Sequence, residues 1–287
     1  MHTRRRLLTL AATLPLSAAA ACGGPTGSTL ERARATGAMR IGISGERPFC
    51  YVDSDGRVTG AQPEVARAVL GRLGVDEIDA VQVPFDELIP RLRDGQFDLI
   101  AAGLTITPGR CREIAFTRPD FVDPPAFLVV EGNPRDIESF RDVARSGIRL
   151  AVLPDSSERD YALAAGVPEE RLEIVDSQSA LFSSVADGRV PAGALTVLSL
   201  TDELRRNPGS GVEVTAPVTP IVDGRPVAPG AAFAVRLGED ELLRAFDAEL
   251  TALQASGEWL RITAPFGFTE ANLPPPDLTT AVLCRPT

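Results

Sequence analysis

Short apolar runs alternate with amphipathic stretches along nearly the whole chain, in two groups separated by the turn Asp123-Pro124-Pro125-Ala126. That alternation is the spacing of strand, crossover helix and strand, so an α/β chain with mainly parallel sheets flanked by helices is expected. In the first group residues 40–43 read as a strand. Residues 64–73 read as a helix, with Val65, Val69 and Leu73 on one face and Gly74 as its stop. Strands over 80–83 and 98–102 and a helix over 86–93 follow. The second group begins with the apolar run 127–130. It continues with helices over 136–145, from Glu158, and over 180–186, and with strands over 150–153, 172–175 and 192–195. Residues 217–230, rich in Pro and Gly, read as a return connection to a strand over 231–235 and a long helix over 239–255.

Two α/β units joined by more than one crossing enclose a cleft. Lobe 1 is expected over 30–121 and 226–287, and lobe 2 over 122–225. Ligands of open α/β sheets sit beyond the C-terminal ends of strands, which puts residues 45–49, Phe85, 103–110 and 155–158 at the cleft rim. One of these segments carries an oddly placed charge. Thr107 followed by Pro108 reads as the cap and first residue of a helix, so Arg110 falls in its first turn, where the helix dipole disfavours a cation. An anionic partner is therefore expected for it, either a ligand or an acid such as Glu113 or Asp120.

Residues 1–21 have a basic start, a short apolar run and small residues before Cys22, the layout of a cleaved export signal. Ala19-Ala20-Ala21-Cys22 resembles a lipobox, so Cys22 is expected to be lipidated, with 22–29 as a tether to the outer face of the membrane. A plain secretory signal is the alternative. The apolar run is too short to cross a bilayer, and no later segment is long and apolar enough.

Composition excludes several chemistries. The net charge of -10 lacks the basic footprint of a nucleic-acid binder. All 29 basic residues are Arg, and the single histidine, His2, leaves with the signal. That rules out a Schiff-base lysine, a histidine-activated nucleophile and a histidine-ligated metal site. Cys50, Cys111 and Cys284 are too scattered for a thiolate metal cluster and lie in an oxidising compartment. One disulfide and one free thiol are expected, with Cys111 and Cys284 the favoured pair, tying the C-terminus to the first lobe.

The runs IGISGERPFCYVDSDGRVTGAQPEVARAVLGRLG and GQFDLIAAGLTITPGRCREIAFTRPDF resemble the family 3 extracellular solute-binding proteins of ABC importers. GERPF, VPFDELIP, ITPGRC and the ending PFGFTEANLPPPDLTTAVLC are most similar to its ectoine and hydroxyectoine branch. The resemblance implies a two-lobed type II periplasmic-binding-protein fold, a monomer without cofactor, a small zwitterionic ligand and an ABC permease as partner. It implies that Arg110 binds a ligand carboxylate, with Gly103 and Thr105 beside it. Phe49 and Phe85 match aromatic cage positions around a delocalised cation, and Glu46 matches an acid that accepts from a ring N–H. The branch's third aromatic falls at Thr105. Ser157 and Glu158 match a segment that presents a hydroxyl and backbone amides at a helix start. Thr196 stands where amino-acid-binding members place an aspartate for the ligand ammonium; without that acid, burying an ammonium is costly and ordinary amino acids become poor ligands. For Phe49 and Phe85 core packing, for Glu46 solvation and for Ser157 helix capping are the plainer roles. Other amino-acid-like solutes remain alternatives, as does a secreted cyclohexadienyl-dehydratase-like enzyme using Glu46 or Glu158 as its acid; no catalytic residue is otherwise expected.

Overall fold

The computed structural model describes residues 27–286; the expected signal peptide and the expected lipidation site at Cys22 lie outside them. Two five-strand paths form the frame. In the first sheet the order is Glu77–Gln82, Ala38–Ile43, Leu99–Thr105, Gly230–Arg236 and Ile114–Phe116, with Phe121–Val122 also paired to Gly230–Arg236. In the second it is Leu172–Ile174, Leu150–Val152, Ala192–Thr196, Pro125–Val130 and Val212–Val214. The fold is thus α/β and two-lobed.

Both sheets are mixed rather than mainly parallel. Ala38–Ile43 is parallel to its two neighbours, but Gly230–Arg236 runs antiparallel to every strand it pairs with. Pro125–Val130 likewise runs against both of its partners. Both antiparallel strands lie next to the connections that pass between the sheets, where the chain enters the second sheet and where it comes back.

The strands are apolar because helices cover both faces. Along Pro125–Val130 the side chains alternate between two cores. Phe127 and Val129 face Phe140, Val152 and Tyr161, whereas Ala126 and Leu128 face Leu181, Val185 and Leu200. Helices Ala61–Arg72, Asp240–Ala255 and Glu258–Thr263 close the first sheet, with Trp259 fully buried.

Three expected helices differ in extent. Residues 86–93 become a short 3-10 turn, Phe85–Glu87, leading into helix Leu88–Arg93. The helix expected over 136–145 begins only at Phe140, where Ser139 caps it by accepting from the Asp142 N–H; Asn133 and Asp136 hold positive φ in the turn before it. The helix expected after Thr107-Pro108 is a single 3-10 turn, Arg110–Arg112, leading at once to strand Ile114–Phe116. Thr107 Oγ1 accepts from the Arg110 N–H at 3.3 Å, but the turn begins two residues later than expected, with Gly109 in the cap position. Ile114 and Phe116, buried on alternate positions, then impose strand spacing.

The C-terminal tail returns to the first sheet. A disulfide joins Cys111 to Cys284 across 173 residues, and Cys50 remains a buried free thiol. Leu283 packs over Gly230, where an added Cβ would come within 2.7 Å of its side chain, and Thr280 donates to the Thr117 carbonyl at 2.6 Å. A cross-link over so long a loop removes much of the unfolded chain's freedom. Cys111→Ser or Cys284→Ser is expected to cost about 2–4 kcal/mol in urea unfolding, and reductant is expected to reproduce that loss in the unmodified protein. Equal midpoints with and without reductant would show that the tail is held by packing alone.

Candidate functional site

Loops at the C-terminal ends of the strands meet between the two sheets. After strand Ala38–Ile43 the turn through Gly45 delivers Glu46 and Phe49; Phe85 opens a 3-10 turn behind Pro84; strand Leu99–Thr105 supplies Gly103 and Thr105. From the second sheet come Leu153, the start of helix Ser157–Ala164 with Ser156, Ser157 and Glu158, and the end of strand Ala192–Thr196 with Leu195 and Thr196. Together these residues line one cavity of about 20 Å³. That is room for about a single water molecule, so an amino-acid-sized solute enters only when the lobes part.

The cavity gathers every sequence-predicted ligand residue except Arg110. Phe49 has two roles there: it lines the cavity and also stacks on Phe121 at 5.3 Å between ring centres, with Phe268 edge-on to both. Gly103 has positive φ, and a Cβ on it would lie 3.0 Å from the Phe49 ring, so the floor requires glycine. The Gly103 N–H is taken by the Gln62 side chain at 3.2 Å. Ser156, not Ser157, caps the helix by accepting from the Arg159 N–H, which frees the Ser157 hydroxyl to donate to Thr105 Oγ1 at 3.3 Å across the cleft.

Arg110 sits on the other side of Phe85. Its Nη1 donates to the Thr105 carbonyl at 2.8 Å and its Nη2 to the Asp155 carbonyl, in the opposite lobe, at 2.6 Å. The guanidinium carbon lies 5.5 Å from the Phe85 ring centre. It faces a neighbouring cavity of about 370 Å³ lined by Phe85, Ile89, Leu104, Asp155 and Asp160. Among the described residues no carboxylate forms an ion pair with it: Glu113 pairs with Arg93, and Asp120 is held by Trp259 and Gln62. Burial lowers the Arg110 pKa, opposed by Asp160 and Glu158.

Three carboxyls gather around the cleft, Glu158 and Asp123 buried and Glu46 partly so. Burial pushes Glu46 up to about 7, opposed by a hydrogen bond from Ser199 and reinforced by Glu158. Glu158, 4% exposed, is raised by the same cause. Asp123, which the sequence marks only as part of the connecting turn, is raised by burial to about 8. Its Oδ2 accepts from the Leu198 N–H at 3.2 Å, at the start of helix Val197–Arg206. Thr196 Oγ1 is buried and short of a well-formed hydrogen bond, yet close enough to the Asp123 carboxyl to lower its proton affinity. An acid does therefore stand at Thr196, supplied by the connection between the sheets rather than by the strand itself. No local pattern announces it beyond an aspartate before two prolines. These carboxyls are not arranged to hold a metal ion.

Residues 39–269 match the model of the bacterial extracellular solute-binding proteins, family 3. A probable amino-acid ABC transporter periplasmic-binding protein of Sinorhizobium fredii is 31% identical over 97% of this chain and 93% of its own length. An L-arginine-binding protein of Pseudomonas aeruginosa is 30% identical over 78% of this chain and 85% of its own. Among solved structures, EhuB in complex with hydroxyectoine superposes with a TM-score of 0.81 at 35% identity, covering 90% of this chain and 98% of that one. With a cleft between two mixed sheets and a family match that spans both, this chain belongs to the family 3 bacterial extracellular solute-binding proteins.

Proposed function

We propose that this protein captures a small zwitterion of the ectoine and hydroxyectoine class in the cleft and delivers it to an ABC permease, anchored outside the cell membrane through lipidated Cys22. The observation that carries this reading is the meeting of Glu46, Phe49 and Phe85 at one cavity, with a half-buried arginine behind Phe85 that forms no ion pair with a carboxylate among the described residues. Aromatic faces and a carboxylate suit a ring cation with an N–H donor. A guanidinium holds a carboxylate bidentately, and Arg110 exchanges its bond to the Asp155 carbonyl for that ligand group. The likeness to the hydroxyectoine-bound structure supports the same class. Binding energy is shared between lobes, so ligand and closure are coupled.

Asp123 favours a second reading. A carboxyl beside Thr196 provides a counter-charge for an α-ammonium, which suits an amino acid, and one relative is an L-arginine-binding protein.

Thermal-shift screening separates the two. Hydroxyectoine or ectoine at about a hundred times its dissociation constant is expected to stabilise the protein by about 2.7 kcal/mol, with little effect from betaines or standard amino acids. Stabilisation by arginine or another amino acid alone would overturn the first reading in favour of the second. Arg110→Ala is expected to abolish binding in titration calorimetry with the far-ultraviolet circular dichroism unchanged; full affinity in that variant would remove Arg110 from the ligand site.

A further inference from the structure

Gln178 and Ser199 are buried polar residues of the second lobe that no feature of the sequence singles out; they are 6% and 0% exposed. Gln178 is the first residue of helix Gln178–Ala186, and Ser199 lies in the first turn of helix Val197–Arg206. The Gln178 amide reaches across the cleft and treats Arg47 as a strand partner would. Its Oε1 accepts from the Arg47 N–H at 3.2 Å and its Nε2 donates to the Arg47 carbonyl at 2.8 Å. The same Nε2 faces the Ser199 carbonyl at 2.6 Å and Ser199 Oγ at 3.0 Å. Turning the amide over would set its oxygen against two carbonyls, so the surroundings fix its orientation.

The Ser199 hydroxyl in turn donates its one hydrogen to Glu46 Oε1 at 2.6 Å, and the two hydrogens of Gln178 Nε2 are shared among the Arg47 carbonyl, the Ser199 carbonyl and Ser199 Oγ. Glu46 is thus an acceptor at Oε1, while Oε2 takes none of these bonds. Residues 131 and 153 apart in sequence are joined here, each bond running between the lobes. Because Gln178 grips backbone, the side chain of Arg47 plays no part; its guanidinium lies over the Tyr51 ring at 3.6 Å.

We propose that Gln178 and Ser199 form a closure latch that positions Glu46: docking the Gln178 amide on the Arg47 backbone aims the Ser199 hydroxyl at Glu46 and presents it as an ionised acceptor to the ligand. This rests on the cleft being the binding site and assigns two positioning residues to it. The groups that face Glu46 work against ionisation. Glu158 raises its proton affinity, Asp123 and Glu46 oppose one another, and Cys50 beneath it is held neutral by burial and by the same carboxyl. Ser199 is the group that favours the charged form. Binding of a cationic N–H needs that form, so affinity is full above the Glu46 titration and lost below it. Without the Ser199 donor the loss begins at higher pH.

The test is titration calorimetry with hydroxyectoine between pH 5 and 8.5. In the unmodified protein the dissociation constant is expected to rise towards tenfold per pH unit below about 7. Ser199→Ala is expected to weaken binding about tenfold at pH 7 and to move the onset of that rise upward, with Ser199→Thr restoring both. Gln178→Ala is expected to weaken binding through faster dissociation. An unshifted pH profile in Ser199→Ala, or Ser199→Thr behaving like it, would overturn the positioning role, since a merely structural serine leaves the profile in place. Should hydroxyectoine fail to bind even the unmodified protein, the ligand reading fails, and small-angle scattering of the ligand-free protein decides the latch. Gln178→Ala must then show the larger radius of gyration, and equal radii refute it.

Discussion

The geometry of the cleft depends on one buried carboxyl, Asp120. Trp259 donates to its Oδ1 at 2.7 Å and Gln62 to its Oδ2 at 2.9 Å, while Gln254 donates to its backbone carbonyl at 3.0 Å. Burial pushes Asp120 up to about 7, and these two side-chain donors pull in the other direction. A buried acid with satisfied oxygens fixes whatever it touches, because an unmet bond there costs about 1–3 kcal/mol. Asp120 touches helix Ala61–Arg72, helix Glu258–Thr263 and the approach to the second sheet. Through Gln62 it reaches Gly103, and through its neighbour Phe121 it reaches Phe49. The floor of the cleft and the first crossing between lobes are thereby set by a single constraint.

That arrangement explains how one loop residue can serve both core and cleft. Phe49 is 2% exposed and packs among Phe121 and Phe268, so its ring cannot drift when the lobes part. Phe85 is only half-buried and borders both the small cavity and the Arg110 cavity. The pair therefore combines a rigid face with an adjustable one, and adjustment is needed because the present cavity is far smaller than a solute.

Strand and helix order is legible in the sequence because burial on both faces writes unbroken apolar runs for strands, as in residues 126–129. The rim segments are legible because ligand loops come after strand ends. Strand direction is not legible: nothing in Ala231 to Val235 distinguishes a parallel from an antiparallel neighbour. Thr107-Pro108 signals a helical turn near the right place but two residues early, a cap does not set a helix's length, and Ile114 with Phe116 impose strand spacing within one turn. Helix Val197–Arg206 escapes a sequence reading because the run from Ala192 looks like one apolar strand until Thr196 turns it. The contacts of Asp123, Gln178 and Ser199 are invisible for a different reason. Each is made between residues far apart in the chain, where local pattern carries no information.

The protonated state of the cleft has a consequence for how binding exchanges heat with its surroundings. At neutral pH Glu46 and Asp123 each hold a proton for much of the time. A cation of the proposed ligand class, settling beside them, would drive those protons out into the buffer, and the buffer's own heat of protonation would add to the heat released by the ligand. The apparent enthalpy therefore depends on whether phosphate or an amine buffer receives the protons, and the difference between the two counts how many carboxyls the solute has discharged.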